Sequence, residues 1–343
     1  MLVRLLQVSL ALTFMVILLG AYTRLADAGL GCPDWPGCYG QLLVPTEADE
    51  LKRASELYPN LTVEADKAWL EMIHRYMAGI LGLLVYGISY LAIQTRQGGW
   101  VLPIGISLVV VAQAALGMFT VTMMLMPVVV MGHLLGGFTL FSMLSMLYWR
   151  VTSPTRVLEQ SSGNSALKLV SFTSLIVVVG QVALGGWTSS NYAALMCTEL
   201  PICQGGWQSH LDFETAFQLI QPPQESYEFG TLDYGARMTI HVAHRFGAGL
   251  VTVMCLLLAT ILWRQSQAQY QRQAWCLIAL LLLQLALGVS NVLFSLPITV
   301  AVAHNLGAAL LLINVLHINY LAWQSVSLRS GASLAIYKES HYE

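Results

Sequence analysis

What this sequence has least of is charge. Asp, Glu, Lys and Arg make up 10% of its 343 residues, against 56% hydrophobic residues. A soluble domain carries roughly a quarter charged residues, so a soluble globular protein is excluded and a polytopic membrane protein is expected. The net charge of −2 says little about partners; membrane lipid is the expected environment and no nucleic acid is expected as a ligand. A small-residue cleavage site is also lacking after the first apolar run, Leu5 to Tyr22. That run is therefore expected to stay as a first spanning helix and not to be removed as a signal peptide. Cysteine is scarce, with six residues, four of which fall in two C-x5-C pairs.

Eight apolar segments reach the length of about 20 residues that a spanning helix needs. They are 5–24, 68–94, 100–122, 128–150, 166–188, 236–263, 273–293 and 297–324. Each is a continuous apolar run, so helices are the expected spanning element and strands are not. In the short connections, Arg4, Arg96, Arg150, Arg156, Lys168, Arg264, Arg272, Arg329 and Lys338 all fall on one side. The positive-inside rule makes that side cytoplasmic, with both termini on it. The two long loops, about 25–67 and 189–235, fall on the other side and hold most of the acids, among them Asp34, Glu64, Glu199, Asp212 and Glu228.

The chain repeats itself. Leu19-Gly-Ala-Tyr-Thr23 matches Leu184-Gly-Gly-Trp-Thr188, and Cys32 and Cys38 match Cys197 and Cys203 at the same offset. Gln113-Ala-Ala-Leu-Gly117 matches Gln284-Leu-Ala-Leu-Gly288, and Gly132-His133-Leu-Leu-Gly136 matches Ala303-His304-Asn-Leu-Gly307. Each half has four spans in the same sense. The expected fold is an all-α membrane protein with eight transmembrane helices, arranged as two pseudo-symmetric four-helix bundles in a parallel internal repeat. The halves are taken as 1–160 and 161–343.

The stretch Glu71-Met-Ile-His74-Arg75-Tyr-Met-Ala-Gly79 has a near-copy in His241-Val-Ala-His244-Arg245-Phe-Gly-Ala-Gly249. Polar residues inside spans are costly and mark function. Four histidines, His74, His133, His244 and His304, each lie about seven residues into an even-numbered span, or about 10 Å deep at ~1.5 Å per residue. They pair as His74 with His133 and His244 with His304. Two imidazoles on facing helices of a four-helix bundle can ligate a haem iron from both sides. Small residues nearby (Ala78-Gly79, Gly136-Gly137, Ala248-Gly249, Gly307-Ala308) are expected to leave room for a flat macrocycle. No third ligand recurs with each pair, which disfavours zinc. His241, one turn before His244 on the same face, is a rival ligand or a neighbour of one. His317, His210 and His341 have no counterpart in the other half, and no role is assigned to them.

Arg75 and Arg245 directly follow His74 and His244. Each suits a haem propionate, and equally a carboxylate partner within the protein. Cys32–Cys38 and Cys197–Cys203 lie in loops expected in an oxidising compartment, so a disulfide within each loop is expected, either structural or redox-active. Cys255 and Cys276 lie within spans and are expected to pack. Glu71 lies one turn before His74, where a buried carboxylate could accept or relay a proton, or could simply pair with Arg75. The copy has His241 at that place, so only the N-terminal half carries the carboxylate.

Taken together, these residues resemble the haem A synthase family, in its cysteine-containing branch. The likeness covers essentially the whole chain: eight spans in two repeats, Glu-x-x-His-Arg at 71–75, four histidines and two C-x5-C loops. The resemblance implies an oxidoreductase that converts the C8 methyl of haem O to the formyl group of haem A, through a hydroxymethyl intermediate, for cytochrome oxidase assembly. It implies a haem B cofactor on His244 and His304, the substrate haem between His74 and His133, and Glu71 as the essential glutamate. Partners implied by the pathway are haem O synthase and a membrane electron carrier, and the location is the inner membrane. A di-haem b-type electron-transfer protein would use the same four histidines but would not need Glu71; a haem carrier would bind haem without changing it.

Overall fold

The computed structural model describes residues 1–152, 165–201, 203 and 205–339, with backbone alone over 324–339. Arg156 and His341 lie outside the described residues, and Arg329 and Lys338 lie where only the backbone is described. Ten α-helices are described: α1 (Leu2–Leu25), α2 (Ala48–Leu57), α3 (Ala65–Gln94), α4 (Val101–Thr122), α5 (Pro127–Thr152), α6 (Ser165–Ser190), α7 (Phe213–Ala216), α8 (Tyr234–Trp263), α9 (Ala268–Leu293) and α10 (Ile298–Glu339). Eight are long and apolar enough to span a membrane: α1, α3, α4, α5, α6, α8, α9 and, over Ile298–Trp323, α10. The protein is an all-helical membrane protein with eight spans.

Most of their limits agree with the apolar runs to within a turn. α3 and α8 begin before their apolar runs, and α9 begins five residues before its own, at Ala268. Asp233 caps α8, its carboxylate accepting from the Ala236 N–H at 2.8 Å, so the polar turn ahead of the span is helical as well. α5 starts on Pro127, whose missing N–H costs nothing at a first helical position. α10 continues well past its apolar run.

The four spans α1, α3, α4 and α5 touch one another in a closed ring, and α6, α8, α9 and α10 do the same. The rings meet through α5 against α6 and α10, and through α1 against α10. Equivalent turns close equivalent hairpins. Met124 and Leu125 after α4, and Ser295 and Leu296 after α9, all take positive φ. Leu125 N–H donates to Thr120 O at 2.8 Å and Leu296 N–H to Asn291 O at 2.7 Å.

Each ring is packed unevenly along its length. One end is filled by aliphatic side chains: Leu6, Val85, Ile88, Ile106, Leu144 and Leu147 in the first ring. Leu258, Leu262, Leu277, Val315 and Ile318 fill the second. At the other end stand His74, His133, His244 and His304, each only half-buried. The apolar faces turned outward, such as Leu83, Leu108 and Val253, suit lipid.

Side chains tie α1 to α6 at their C-terminal ends. Arg24 donates from Nη1 to the Tyr192 hydroxyl at 2.6 Å and from Nη2 to Ser189 O at 2.9 Å. Its guanidinium lies 4.1 Å from the Tyr192 ring centroid, and the Tyr192 hydroxyl donates to Asp27 at 3.1 Å. Hydrogen bonds of a charged group contribute about 1.5–3 kcal/mol each. Replacing Arg24 with Met should therefore destabilise the protein by roughly 2 kcal/mol. The check is thermal unfolding in detergent; an unchanged midpoint would show that the tie carries no energy.

Candidate functional site

The histidines meet in the pairs expected from the repeat. The His74 and His133 ring centroids are 6.4 Å apart with the rings at 85°. For His244 and His304 the values are 6.5 Å and 78°. Each ring lies against a glycine of a neighbouring span. A Cβ at Gly20 would come within 2.9 Å of His74 Cε1; the corresponding approaches are 3.3 Å for Gly117 to His133, 3.2 Å for Gly185 to His244 and 3.2 Å for Gly288 to His304. The Nδ1 atoms of His74, His133 and His304 are buried without a hydrogen-bond partner.

This geometry accommodates a metalloporphyrin. A metal–imidazole bond is about 2 Å, and an imidazole nitrogen lies about 1.2 Å from its ring centroid, so two imidazoles on opposite sides of one iron have centroids about 6.4 Å apart. Both pairs stand at that separation. Among the described residues no three His, Cys, Asp or Glu side chains converge as a metal group.

Glu71 is 5% exposed and lies at the junction of α3 with the first long loop. Its Oε2 accepts from the Cys32 N–H at 2.9 Å. Its Oε1 pairs with Arg75 at 2.5 Å. Arg75 also donates from Nη1 to the carbonyls of Asp34 at 2.9 Å and Gly37 at 2.5 Å. The loop so gripped is closed by the Cys32–Cys38 disulfide. Asp34 shapes it, accepting from the N–H of Tyr39 at 2.6 Å and of Gly40 at 2.8 Å. Burial, and then the acids Glu64 and Asp34, push the Tyr39 phenol above its ordinary pKa. It therefore stays protonated and donates to Thr62 O at 3.1 Å.

The second half repeats the grip with different chemistry. Cys197 and Cys203 are disulfide-bonded. Arg245 donates to Cys197 O at 2.5 Å and to Glu199 O at 2.7 Å. In place of Glu71, His241 has its Nδ1 2.9 Å from Ala193 O, which it can meet only as a donor. Its Nε2 is buried without a partner. The imidazole facing His304 is that of His244, and His241 turns to the loop.

Two of the open alternatives are thereby narrowed. The guanidinium groups of Arg75 and Arg245 are engaged by loop carbonyls, and Arg75 also by Glu71. The space beside Gly136 and Gly307, expected to be left for a macrocycle, is taken instead by Gln113 and Gln284: a Cβ at either glycine would overlap the glutamine side chain. A third glutamine, Gln181, stands in the same way against Gly247. The histidines without counterparts do other work. His317 packs on Trp149, with centroids 4.6 Å apart, and His210 sets its edge to Tyr234. Cys255 is buried in the aliphatic core and Cys276 is exposed.

In the sequence the supporting glycines, with Gln113 and Gln284, stand out only as markers of the repeat, and Gln181 does not stand out. The signal for their role was present in the spacing: each glutamine stands four residues before a supporting glycine. What linked them to the histidines was the packing of neighbouring helices.

Eight helical spans with two facing imidazole pairs, one beside a buried carboxylate, define a helical membrane protein with paired histidines inside its spans. The comparisons place that class more narrowly. A profile of the COX15-CtaA family, described as cytochrome oxidase assembly protein, matches residues 3–316. The heme A synthase of Shewanella oneidensis is 53% identical over 323 residues, covering 94% of this chain and 97% of that protein. The heme A synthases of Neorickettsia sennetsu and Nitrosospira multiformis are 25% and 26% identical, each over 90% of this chain. The chain belongs to the COX15-CtaA family of cytochrome oxidase assembly proteins, with the heme A synthases.

The cysteine assignment is directly measurable. Denatured without reductant, the protein should offer two thiols to an alkylating reagent, Cys255 and Cys276, and all six cysteines after reduction. Intact-mass spectrometry reads the count; labelling of Cys32 or Cys197 before reduction would contradict the pairing.

Proposed function

We propose that this chain is an oxidoreductase that converts haem O to haem A, oxidising the C8 methyl through a hydroxymethyl stage to the formyl group. The observation that carries this reading is an asymmetry between two otherwise matched sites. Both have a facing imidazole pair at the separation a bis-ligated iron needs. Only the N-terminal pair has a buried carboxylate one turn away, where the other has His241. In a buried site a carboxylate within reach of a reacting group serves as a general base, an effect worth about 10²–10⁴-fold.

The first half, 1–160, is the substrate half. His74 and His133 flank the substrate haem and set its plane between α3 and α5. Glu71 is held from two sides, by the Cys32 N–H and by Arg75, so its carboxylate cannot swing away. The loop at Cys32–Cys38, drawn onto α3 by Arg75, covers the end of the bundle nearest the pair and limits water there. The second half, 161–343, is the cofactor half, with His244 and His304 as ligands of haem B. Haem B, when bound, supplies one-electron chemistry beside the substrate half. Arg75 and Arg245 stand at the mouth of each site, and the loop carbonyls they engage are the competitors a propionate would have to displace.

The direction of the chain in the membrane follows from its cations: the short connections with Arg96, Arg264 and Arg272 are cytoplasmic, and the disulfide loops are extracytoplasmic. That side suits the disulfides. Haem O is too apolar to diffuse through water, so its delivery by haem O synthase within the inner membrane is part of the same proposal, as is a membrane electron carrier.

Co-expression with a haem O-producing host, followed by pigment analysis, is the test. Glu71→Gln should cut formation of haem A and of the hydroxymethyl haem by about 10²-fold or more while the haem B spectrum stays. The amide keeps an acceptor for the Cys32 N–H; Glu71→Ala would also leave Arg75 partly buried and unpaired, at about 3 kcal/mol or more. His74→Ala should abolish turnover and keep haem B, whereas His244→Ala or His304→Ala should remove haem B. A folded, haem-loaded protein that leaves haem O unchanged would be an electron-transfer or carrier protein.

A further inference from the structure

We propose that Gln181 and Gln284 are positioning residues that lock the histidine-bearing turns of the C-terminal pair, and that Val16, standing where the repeat has Gln181, leaves His74 as the one histidine of the four with no glutamine against its turn. The proposal rests on the reading of these histidines as haem ligands.

The device has three parts and recurs around the molecule. The first is a glycine under the ring: Gly117, Gly185 and Gly288. The second is a glutamine one turn earlier on the same helix: Gln113, Gln181 and Gln284. The third is a glycine three residues after the histidine on the facing helix, Gly136, Gly247 and Gly307, into whose open side the glutamine extends. Gln181 Nε2 donates to the His244 carbonyl at 2.9 Å and lies 3.1 Å from His244 Nδ1. Gln284 Nε2 donates to the His304 carbonyl at 2.9 Å. Each of these amides therefore bonds the histidine-bearing turn of the facing helix directly. The Oε1 atoms of Gln181 and Gln284 are buried and unpartnered, which is costly unless something uses them.

An imidazole that binds iron through Nε2 carries its hydrogen on Nδ1. The Gln181 Nε2, already committed to the His244 carbonyl, therefore acts on His244 by fixing the helical turn that carries the ring, and Gln284 does the same for His304. At Gln113 the amide lies against Gly136, but its Nε2 is buried with no partner, so His133 is held by the glycine packing and only partly by the amide.

His74 keeps the supporting glycine, Gly20, and loses both other parts together. Val16 stands where the glutamine would be, and Met77 stands where the facing helix would have its glycine. The two departures are coupled sterically. A glutamine at 16 needs a glycine at 77, because a Cβ at Gly136, Gly247 or Gly307 overlaps the corresponding glutamine. The site that must admit one haem and release another at every turnover is the site where neither histidine turn is bonded by a glutamine. The site that keeps its cofactor has both turns bonded.

The test measures haem exchange and spectra on purified full-length protein in detergent, with apomyoglobin as the haem acceptor. Gln181→Leu and Gln284→Leu should each raise the rate of haem B loss by about 10-fold or more, and should shift the low-spin EPR g-values and the midpoint potential. Simple loss of packing would lower the melting temperature without altering the spectrum of the haem that remains. The double variant Val16→Gln/Met77→Gly should do the reverse at the other site, slowing loss of N-terminal haem by about 10-fold and lowering kcat, with the haem B spectrum unchanged. Exchange rates and g-values equal to wild type in both glutamine variants, with haem B still absent from His244→Ala, overturn the lock and leave the ligand assignment standing. Unchanged N-terminal exchange in the folded double variant overturns the assignment of Val16. Haem B retained in His244→Ala and His304→Ala overturns the reading beneath both.

Discussion

An imidazole can face the interior of a narrow helical bundle only where the opposing helix gives way, and in this protein it gives way at glycine. Helices pack with axes about 8–10 Å apart, and a ring projecting from one leaves no room for a Cβ on the other at the same level. Gly20, Gly117, Gly185 and Gly288 meet that requirement for the four histidines. The contact settles which helices are neighbours: α1 with α3, α4 with α5, α6 with α8 and α9 with α10. It also separates the two ends of each ring. Aliphatic side chains interdigitate at one end and hold the helices together. At the other end the histidines are half-buried and their rings face each other in pairs.

The long loops depend on the same ends of the same helices. Each disulfide loop is drawn down by an arginine that immediately follows a histidine, through carbonyl oxygens of the loop itself. Each is also fixed by the residue one turn before that histidine. In the first half that residue is an acceptor, Glu71, meeting the Cys32 N–H; in the second it is a donor, His241, meeting the Ala193 carbonyl. One position thus does equivalent structural work with opposite hydrogen-bonding sense. The structural equivalence keeps the two disulfide loops held in the same way. The chemical difference leaves a proton-accepting carboxylate in one of them alone, which is the basis for assigning turnover to the first half and residence of a cofactor to the second.

Much of this was legible in the linear chain. Spans are readable because lipid leaves the backbone no alternative to internal hydrogen bonding, so eight apolar runs become eight helices, with most ends shifted by a turn at most and α9 and α10 extended further. The histidine pairs were readable because a charged or polar group in a span is rare enough to be informative, and the repeat supplied the pairing. The cysteine pairs were readable from spacing. The partners of Arg75 and Arg245 were not, since a guanidinium at a membrane surface has propionates, carboxylates and carbonyls within reach, and only the path of the loop selects among them. The space beside Gly136 and Gly307 was also misjudged, because a small residue looks like an opening until the side chain that fills it, from another helix, is seen.

The sequence by itself determined the spans, the four histidines and the likeness of the two stretches around His74 and His244, with Glu71 in one and His241 in the other, because each rests on local composition or on comparison of the chain with itself. Only the tertiary structure decided that His244 and not His241 faces His304, that Glu71 holds the Cys32 loop, and that glycines and glutamines on neighbouring helices support the rings. These are contacts between residues far apart in the chain, made across a helix interface of a few ångströms. Distances of that kind depend on how two helices are set against each other, and no pattern along either helix alone carries that information.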